Sequence, residues 1–305
     1  MPTFVIANPA AAAGRVGRTR AALQTTIDAR LGACQYLETT RPGDGASLAR
    51  QAIDRGATRV LSLGGDGTHN EVASGILDHP DGAAVAFGVL PAGTGGDLRR
   101  TLGVPTLDAA LAAIASREAR LVDVGQATYS DADGAPASRW FVNLASCGLS
   151  GLVDRIVNAS GKRLGALSFY LGTLRAMAQY RPAHVRIRVD GRDLGEHVIS
   201  VVVAGNGRYA GGGMCFCPDA RIDDGLLDVV IVPHAGTIPS IARTPHLYRG
   251  TLAEVPGVIA ARATEVAIDL LGRDAFLDLD GESPGNAPVV FRAHPARLLL
   301  AGAPV

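Results

Sequence analysis

The amino-acid order predicts an α/β protein in two parts: an N-terminal three-layer α/β domain, then an antiparallel β-sandwich. Three observations predict it. Over about the first 125 residues, short apolar runs alternate with stretches of helical periodicity, as in a parallel sheet covered by helices. Two of those runs pass directly into glycine-rich loops. Beyond Asp123, strand-like runs follow one another with few helices between them, the pattern of a sandwich.

The elements follow in order. Thr3–Ala7 reads as a first strand. Arg15–Leu31 carries Val16, Leu23, Ile27 and Leu31 at helical spacing and predicts one helix. Gln35–Thr39 predicts a second strand, and Ser47–Arg55 a helix stopped by Gly56. Arg59–Leu63 is a third strand, followed by a helix over His69–Leu77. Ala84–Leu90 is a fourth, and Thr106 caps a helix that runs through Ser116. In the second part, strands are expected at Trp140–Ser146, Val185–Val189, Val198–Ala204, Leu226–Val232, Glu265–Ile268 and Ala275–Leu279. Helical inserts are expected at Leu164–Tyr180 and near Thr237–Arg243. The domains are therefore placed at 1–125 and 126–291, with 292–305 returning to the first through Arg297–Leu300.

Composition narrows the function. The chain has 305 residues, enough for two domains, and 47% of them are apolar, enough to fill two cores. Lys plus Arg (29) equals Asp plus Glu (29), so no basic field points to nucleic acid. Cys34, Cys147, Cys215 and Cys217 form no C-x-x-C pair, which removes zinc spacing and suits reduced thiols in a cytosolic protein. The N-terminus reads as a strand rather than a signal peptide, and no apolar run reaches the about 20 residues of a membrane span.

Four clusters carry chemistry. Gly64-Gly65-Asp66-Gly67-Thr68, with Asn70 and Glu71 after it, lies where a strand gives way to a helix. Glycine there lets a phosphate approach the backbone, and the helix N-terminus offers free N–H groups. Asp66 beside phosphate calls for a cation or a donor network; a tight turn with an Asp cap is the structural alternative. Pro91-Ala92-Gly93-Thr94-Gly95-Gly96-Asp97 repeats the arrangement on the next strand, with Thr94 a hydroxyl donor and Asp97 either a ligand or an N-cap. Gly205-Asn206-Gly207, Gly211-Gly212-Gly213 and Arg221-Ile222-Asp223-Asp224-Gly225-Leu226 offer carboxylates and carbonyls to a hard cation, or a hairpin turn. Asp278-Leu279-Asp280-Gly281-Glu282 reads locally as a turn, and functionally as a general base, Glu282, for a hydroxyl. His69, beside the first loop, is expected to be an exposed helix residue with no catalytic part.

Together and in this order, the clusters resemble the diacylglycerol kinase catalytic-domain family, which includes bacterial lipid kinases and sphingosine kinases. The resemblance runs from Asn8-Pro9 through Thr40, Gly64–Thr68, Pro91–Asp97, Asp123, Asn206 and Asp224-Gly225 to Asp280-Gly281-Glu282. It implies a phosphofructokinase- or NAD kinase-like first domain that binds nucleotide, a sandwich domain that takes the lipid, and a nucleotide site in the cleft joining them. It implies ATP contacts from Asn8, Thr40, Gly64, Gly65, Asp66, Gly67, Thr68, Asn70 and Thr94. It implies Mg²⁺ held by Asp224 and by the backbone carbonyls of Arg221 and Leu226. Asp66, Asp97 and Asp123 match carboxylates of the family's metal and nucleotide network, and Glu282 its proton acceptor. The expected activity is ATP- and Mg²⁺-dependent phosphorylation of a lipid hydroxyl such as that of diacylglycerol. The lipid would be presented at a membrane surface to a cytoplasmic enzyme, peripheral at the inner membrane; a homodimer is compatible with the sequence.

The chain departs from the family pattern in two loops. Gly96 stands where an Asn is usual, and Ala10-Ala11-Ala12-Ala13-Gly14 has no hydroxyl before its glycine, leaving only backbone N–H donors. These motivate one other reading, a nucleotide-binding regulator without catalysis; the Gly-Gly-Asp-Gly loop, which NAD kinases share, motivates another, an NAD kinase-like enzyme. The 162–181 insert, with Leu164, Leu167, Tyr170, Leu171, Leu174 and Met177 on one face, packs on the sandwich or lines an acyl groove.

Overall fold

The computed structural model describes residues 2–92, 96–131, 134–159, 172, 173, 175, 176 and 178–303. The chain forms two compact units, one of Met1–Asp123 with Ala296–Val305 and one of Val124–Pro295.

The first unit is built on parallel strands β1 (Thr3–Ala7), β2 (Gln35–Glu38), β3 (Arg59–Gly64) and β4 (Ala86–Pro91), in the order β2-β1-β3-β4. The end of the last strand, β16 (Asn286–Leu300), adds in parallel where Leu300 pairs with Phe87. The strands β1, β3 and β4 are nearly continuous buried runs, as parallel strands covered on both faces must be. The helices are α1 (Ala11–Arg18), α2 (Arg20–Leu31), α3 (Asp44–Asp54), α4 (Asp66–Leu77), α5 (Asp97–Thr101) and α6 (Leu107–Ser116). At one point α3 and α4 nearly touch: a Cβ on Gly75 would sit 2.3 Å from the Ala46 carbonyl oxygen, so only glycine fits. Thr106 caps α6 by accepting from the Ala109 N–H at 3.1 Å.

The expected single helix Arg15–Leu31 is broken. Ala12, Ala13 and Gly14 inside α1 are left-handed, and Thr19 at the junction with α2 is not helical. The helical face of Val16 and Ile27 is real, but periodicity does not register a one-residue interruption.

The second unit is antiparallel in its strand pairings. It holds most of β5 (Arg120–Ser130), then β6 (Pro136–Phe141), β7 (Leu144–Gly148), helix α7 (Leu149–Ala159), β8 (Ala183–Val189), β9 (Arg192–Gly205), β10 (Tyr209–Ala210), β11 (Met214–Cys215) and β12 (Leu227–Pro233). Helices α8 (Thr237–Ala242) and α9 (Thr244–Arg249) precede β13 (Ile259–Ala263), β14 (Glu265–Leu270), β15 (Leu277–Leu279) and most of β16. The 14-residue β9 is shared: its first half pairs with β8, its second half with β7 and β12. On β8, buried and exposed residues alternate, so one face packs inward. Phe141 meets Phe291 edge-on at 6.0 Å within a core of Ile187, Ile199, Val229, Val266 and Leu277. The expected strand Trp140–Ser146 is two strands, interrupted at Val142-Asn143. Most of the expected insert (162–171, 174 and 177) lies outside the described residues.

Candidate active site

In a parallel sheet every carboxyl end lies at one edge, where ligands of open α/β sheets bind. Asn8 follows β1, Thr40 follows β2, Gly65 follows β3 and residues 92–97 follow β4, so the sheet itself gathers the first unit's predicted loops. Hydrogen bonds tie them together: Asn8 N–H to Leu63 O, Thr39 N–H to Ala7 O and Ala92 N–H to Gly64 O. Asn8 Nδ2 donates to Thr68 Oγ1 at 3.0 Å, and Asn8 Oδ1 accepts from Ala10 N–H. A Cβ on Gly64 would lie 2.7 Å from Thr68 Oγ1, whereas beside Gly65 there is nothing within 4 Å. The backbone is thus open to a ligand just ahead of α4, whose first N–H groups have no intrahelical acceptor. The Ala-rich loop carries Ala12 and Ala13 at φ 53° and 55°, a conformation that costs an alanine roughly 1–2 kcal/mol. Thr40 is held by Asp44, which accepts from its N–H and its hydroxyl at 2.8 and 2.7 Å.

Asp66 does not stand free in the loop. Its Oδ2 accepts from the Gly96 and Asp97 N–H groups at 3.1 and 3.0 Å, and its Oδ1 from Leu98 at 3.3 Å. It therefore caps α5 from α4 and fixes where the second loop ends. Gly96, left-handed at φ 86°, contributes its N–H to that carboxylate, so the loop end is ordered without the usual amide. Asp97 is buried and paired with Arg100 at 2.8 Å; it is the first residue of α5 and not its cap, which is Gly96. Asp123 is buried and accepts from Ala296 N–H at 2.8 Å, fastening the returning C-terminal segment. Asn70 is half-buried on α4, and Thr94 lies outside the described residues.

Two residues change their expected standing. His69 is 1% exposed, with Nδ1 2.8 Å from Ser62 Oγ, and burial pushes its pKa down to about 4. It shares a helical face with Val72, Ala73 and Ile76, which pack on the sheet, so it is a core residue and not an exposed one. Glu71, noted only as following the loop, accepts from Gly43 N–H and Gly45 N–H at 2.8 and 3.0 Å and so anchors the start of α3. No local motif signals that contact across 26 residues.

In the second unit, Asp280 and Gly281 have φ 51° and 87°, and Leu279 and Glu282 pair across them as a two-residue hairpin of primed type. The buried Asp280 carboxylate accepts from three backbone N–H groups, Val142 at 2.7 Å, Asn143 at 3.1 Å and Leu144 at 2.8 Å. Asn206, from the glycine-rich cluster, donates to Val142 O at 2.8 Å and locks the same segment. Glu282 follows directly, exposed, on this fixed turn.

At Asp224, Oδ1 accepts from Leu226 N–H at 3.1 Å, and Oδ2 pairs with the Arg262 guanidinium. Arg262 also reaches Asp228 at 3.5 Å. Burial, with Asp219 nearby, pushes the Asp228 carboxyl up to about 6. Asp224 is thus paired with a guanidinium in this structure; a carboxylate with backbone carbonyls is the kind of hard-oxygen donor that Mg²⁺ takes. Arg221 points its guanidinium at Asp223, 3.2 Å away. Among the described residues, no three His, Cys, Asp or Glu side chains are gathered to hold a metal.

Residues 2–127 match the diacylglycerol kinase catalytic domain, and residues 143–302 match the YegS C-terminal NAD kinase beta sandwich-like domain. The diacylglycerol kinase of Mycobacterium tuberculosis is 30% identical over 259 residues, 84% of this chain and 80% of that protein. A protein of Xanthomonas oryzae pv. oryzae, named a probable YegS-like lipid kinase, is 34% identical over 270 residues, 86% of this chain and 84% of its own. The chain belongs to the diacylglycerol kinase family of lipid kinases.

It is accordingly a phosphotransferase that acts on a hydroxyl group. A Bacillus anthracis strain Sterne structure, provisionally named a diacylglycerol kinase, superposes with a TM-score of 0.79 at 25% identity, covering 98% of this chain and 94% of the other. Yeast NADH kinase in complex with NADH shares the fold alone, at a TM-score of 0.53 and 9% identity over 98% of this chain and 82% of the other. Within this lipid kinase family fold, the sheet edge brings Asn8, Thr40 and Gly64–Thr68 together in one unit, while Arg221, Asp224, Leu226 and Glu282 belong to the other. No helix among the described residues is long and apolar enough to cross a membrane.

Proposed function

We propose that this chain transfers the γ-phosphoryl group of ATP to a lipid hydroxyl, with diacylglycerol the first acceptor to test. The observation that supports it is the gathering of Asn8, Thr40 and the Gly64–Thr68 loop at one carboxyl edge of a parallel sheet, in a chain of the lipid kinase family. In this reading the phosphates lie against the open backbone at Gly65 and the N-terminus of α4, where N–H groups and the helix dipole favour anions. Asn8 and Thr68, hydrogen-bonded to each other, shape one wall. Asp66 acts by holding Gly96 and Asp97, where the second loop ends. Phosphoryl transfer asks mainly for positioning and charge neutralisation, so a rigid cradle is the larger part of the work. Glu282, exposed on its fixed turn, takes the proton of the acceptor hydroxyl as that oxygen attacks in line. Mg²⁺, held by Asp224 with the carbonyls of Arg221 and Leu226, would neutralise phosphate charge when bound. That requires Asp224 to exchange its Arg262 partner. The lipid is taken from a membrane surface by a peripheral, cytoplasmic enzyme.

The test is incubation of the purified chain with labelled ATP, Mg²⁺ and a total lipid extract, with the product identified by mass. A phosphorylated lipid that is lost in Glu282→Gln supports the reading. Phosphorylation of NAD in place of any lipid overturns it in favour of a nucleotide kinase. ATP binding without transfer to any acceptor overturns it in favour of a regulator.

A further inference from the structure

Gly96 ends the loop after β4, and a side chain holds each of its groups. Its N–H donates to Asp66 Oδ2 at 3.1 Å. Its carbonyl oxygen accepts from Arg100 Nη1 at 3.3 Å. Its remaining side is covered by Arg99: a Cβ built on Gly96 would lie 2.6, 2.8 and 3.0 Å from Arg99 Nε, Cδ and Cγ. The first two are closer than a real Cβ approaches such atoms, so no side chain can stand at 96 while Arg99 keeps this pose. Gly96 is accordingly buried, although its φ of 86° belongs to the left-handed region that only glycine enters freely. Arg99 is the third residue of α5, a position whose side chain can fold back over the residue that caps the helix. Its Nη1 donates to Pro105 O at 3.0 Å, so the side chain runs from the loop end to the connection between α5 and α6. An ion pair does not account for the pose. Arg100 pairs with Asp97, but among the described residues Arg99 has no carboxylate partner.

The geometry points to Arg99 as a positioning residue of the nucleotide site, its stem standing where position 96 has no side chain and fixing, together with Asp66, the end of the second loop. The inference rests on that loop contacting ATP.

The energetic reason is entropy. Glycine has more backbone freedom to lose than any other residue, and a loop that ends on an unrestrained glycine must be ordered when the ligand arrives. A stem laid across Gly96 places that cost in folding and removes it from binding. Its loss therefore shows in nucleotide affinity, and not in the chemical step once nucleotide is bound. A guanidinium that touched phosphate directly would act otherwise: its effect would follow the charge and fade with salt.

The experiment measures amide hydrogen exchange and nucleotide binding in the full chain, with thermal unfolding as the check of folding. In Arg99→Ala the Gly96, Asp97 and Leu98 amides, which bond to Asp66, are expected to exchange at least about five-fold faster. Affinity for a non-hydrolysable ATP analogue with Mg²⁺ should fall at least about five-fold, and KM for ATP should rise in step while kcat stays within about two-fold. Arg99→Met keeps an unbranched stem without the charge, and its affinity should stay within about two-fold of wild type. Gly96→Asn, which tolerates the left-handed backbone, should displace Arg99 and weaken binding, and adding Arg99→Ala to it should cost little more. If Arg99→Ala does not fold, Gly96→Asn takes its place in the exchange and affinity measurements. Unchanged exchange at residues 96–98 in Arg99→Ala overturns the clamp, and faster exchange with unchanged affinity overturns its part in nucleotide binding. Arg99→Met as weak as Arg99→Ala overturns the role of the stem, and a deficit that shrinks at high salt assigns Arg99 to a direct charge contact instead. Losses that add in the double variant overturn the coupling to Gly96. Failure of the nucleotide reading looks different: the wild type binds no ATP analogue, while exchange at 96–98 still reports on the clamp.

Discussion

Removing the Asp280 carboxylate should destabilise the second unit by several kcal/mol, while removing the neighbouring Glu282 carboxylate should not. The two acids stand two residues apart and do opposite things. Asp280 is buried and accepts from the N–H groups of Val142, Asn143 and Leu144, some 136 to 138 residues away. In Asp280→Ala all three donors stay buried without that acceptor. Each unsatisfied donor costs about 1–3 kcal/mol, and because the three share one segment they relax together, so about 3–5 kcal/mol is expected. In Asp280→Asn one amide oxygen can still accept, and asparagine tolerates the left-handed backbone at φ 51°; the loss should be about 1–3 kcal/mol. Glu282 is exposed, and Glu282→Gln should stay within about 0.5 kcal/mol. The assay is urea unfolding followed by fluorescence of Trp140, the only tryptophan in the chain, which lies on β6 edge-on to His294 at 5.0 Å and so reports on the second unit. Glu282→Gln should be folded and inactive, so that its loss of activity is not one of stability. A midpoint shift in Asp280→Ala equivalent to less than about 1 kcal/mol, or a larger loss in asparagine than in alanine, would refute the assignment of Asp280 as the anchor of the turn.

Further outcomes follow from the same contacts. Asp66→Ala should weaken binding of a non-hydrolysable ATP analogue at least ten-fold by calorimetry, because α5 and its loop lose their cap, whereas Glu282→Gln should leave that affinity within about two-fold. Because the buried His69 has its pKa lowered to about 4, the unfolded chain takes up its proton first as pH falls from about 6.5. Up to about 3 kcal/mol of the first unit's stability should go between pH 6.5 and 4, and thermal unfolding of His69→Gln should lack that slope. Arg262→Ala should raise apparent Mn²⁺ affinity at the Asp224 turn several-fold in a paramagnetic titration, and unchanged affinity would show that the guanidinium does not compete. Cys147, with its thiol pushed up to about 12 by burial, should resist alkylation at pH 8 until the chain unfolds.

What the sequence discloses divides along a physical line. Features local in the chain are legible: an apolar run followed by glycines marks the loops after β3 and β4, and Thr106 before an apolar helix marks a cap that the structure contains. The burial of His69 is equally legible in the periodicity, since it stands three and four residues before Val72 and Ala73 on one face. The partners of the carboxylates are not legible, because they lie far away in sequence: Asp66 on residues 96–98, Asp123 on Ala296, Asp280 on residues 142–144 and Glu71 on the start of α3. A motif shows that an acid stands at a position but not what it touches. The structure therefore sorts the family's acids by their partners. Asp66, Asp123 and Asp280 accept backbone N–H groups and hold loops in place, a task that an amide, without the charge and with one acceptor oxygen fewer, does less well. Asp224 faces a cationic side chain, and Glu282 is exposed on a turn that Asp280 and Asp278 fix on its inner side. Loss of activity on mutating the first three is then no evidence that they touch a phosphate, and only variants that fold and bind nucleotide as the wild type does can assign chemistry to an acid in this family.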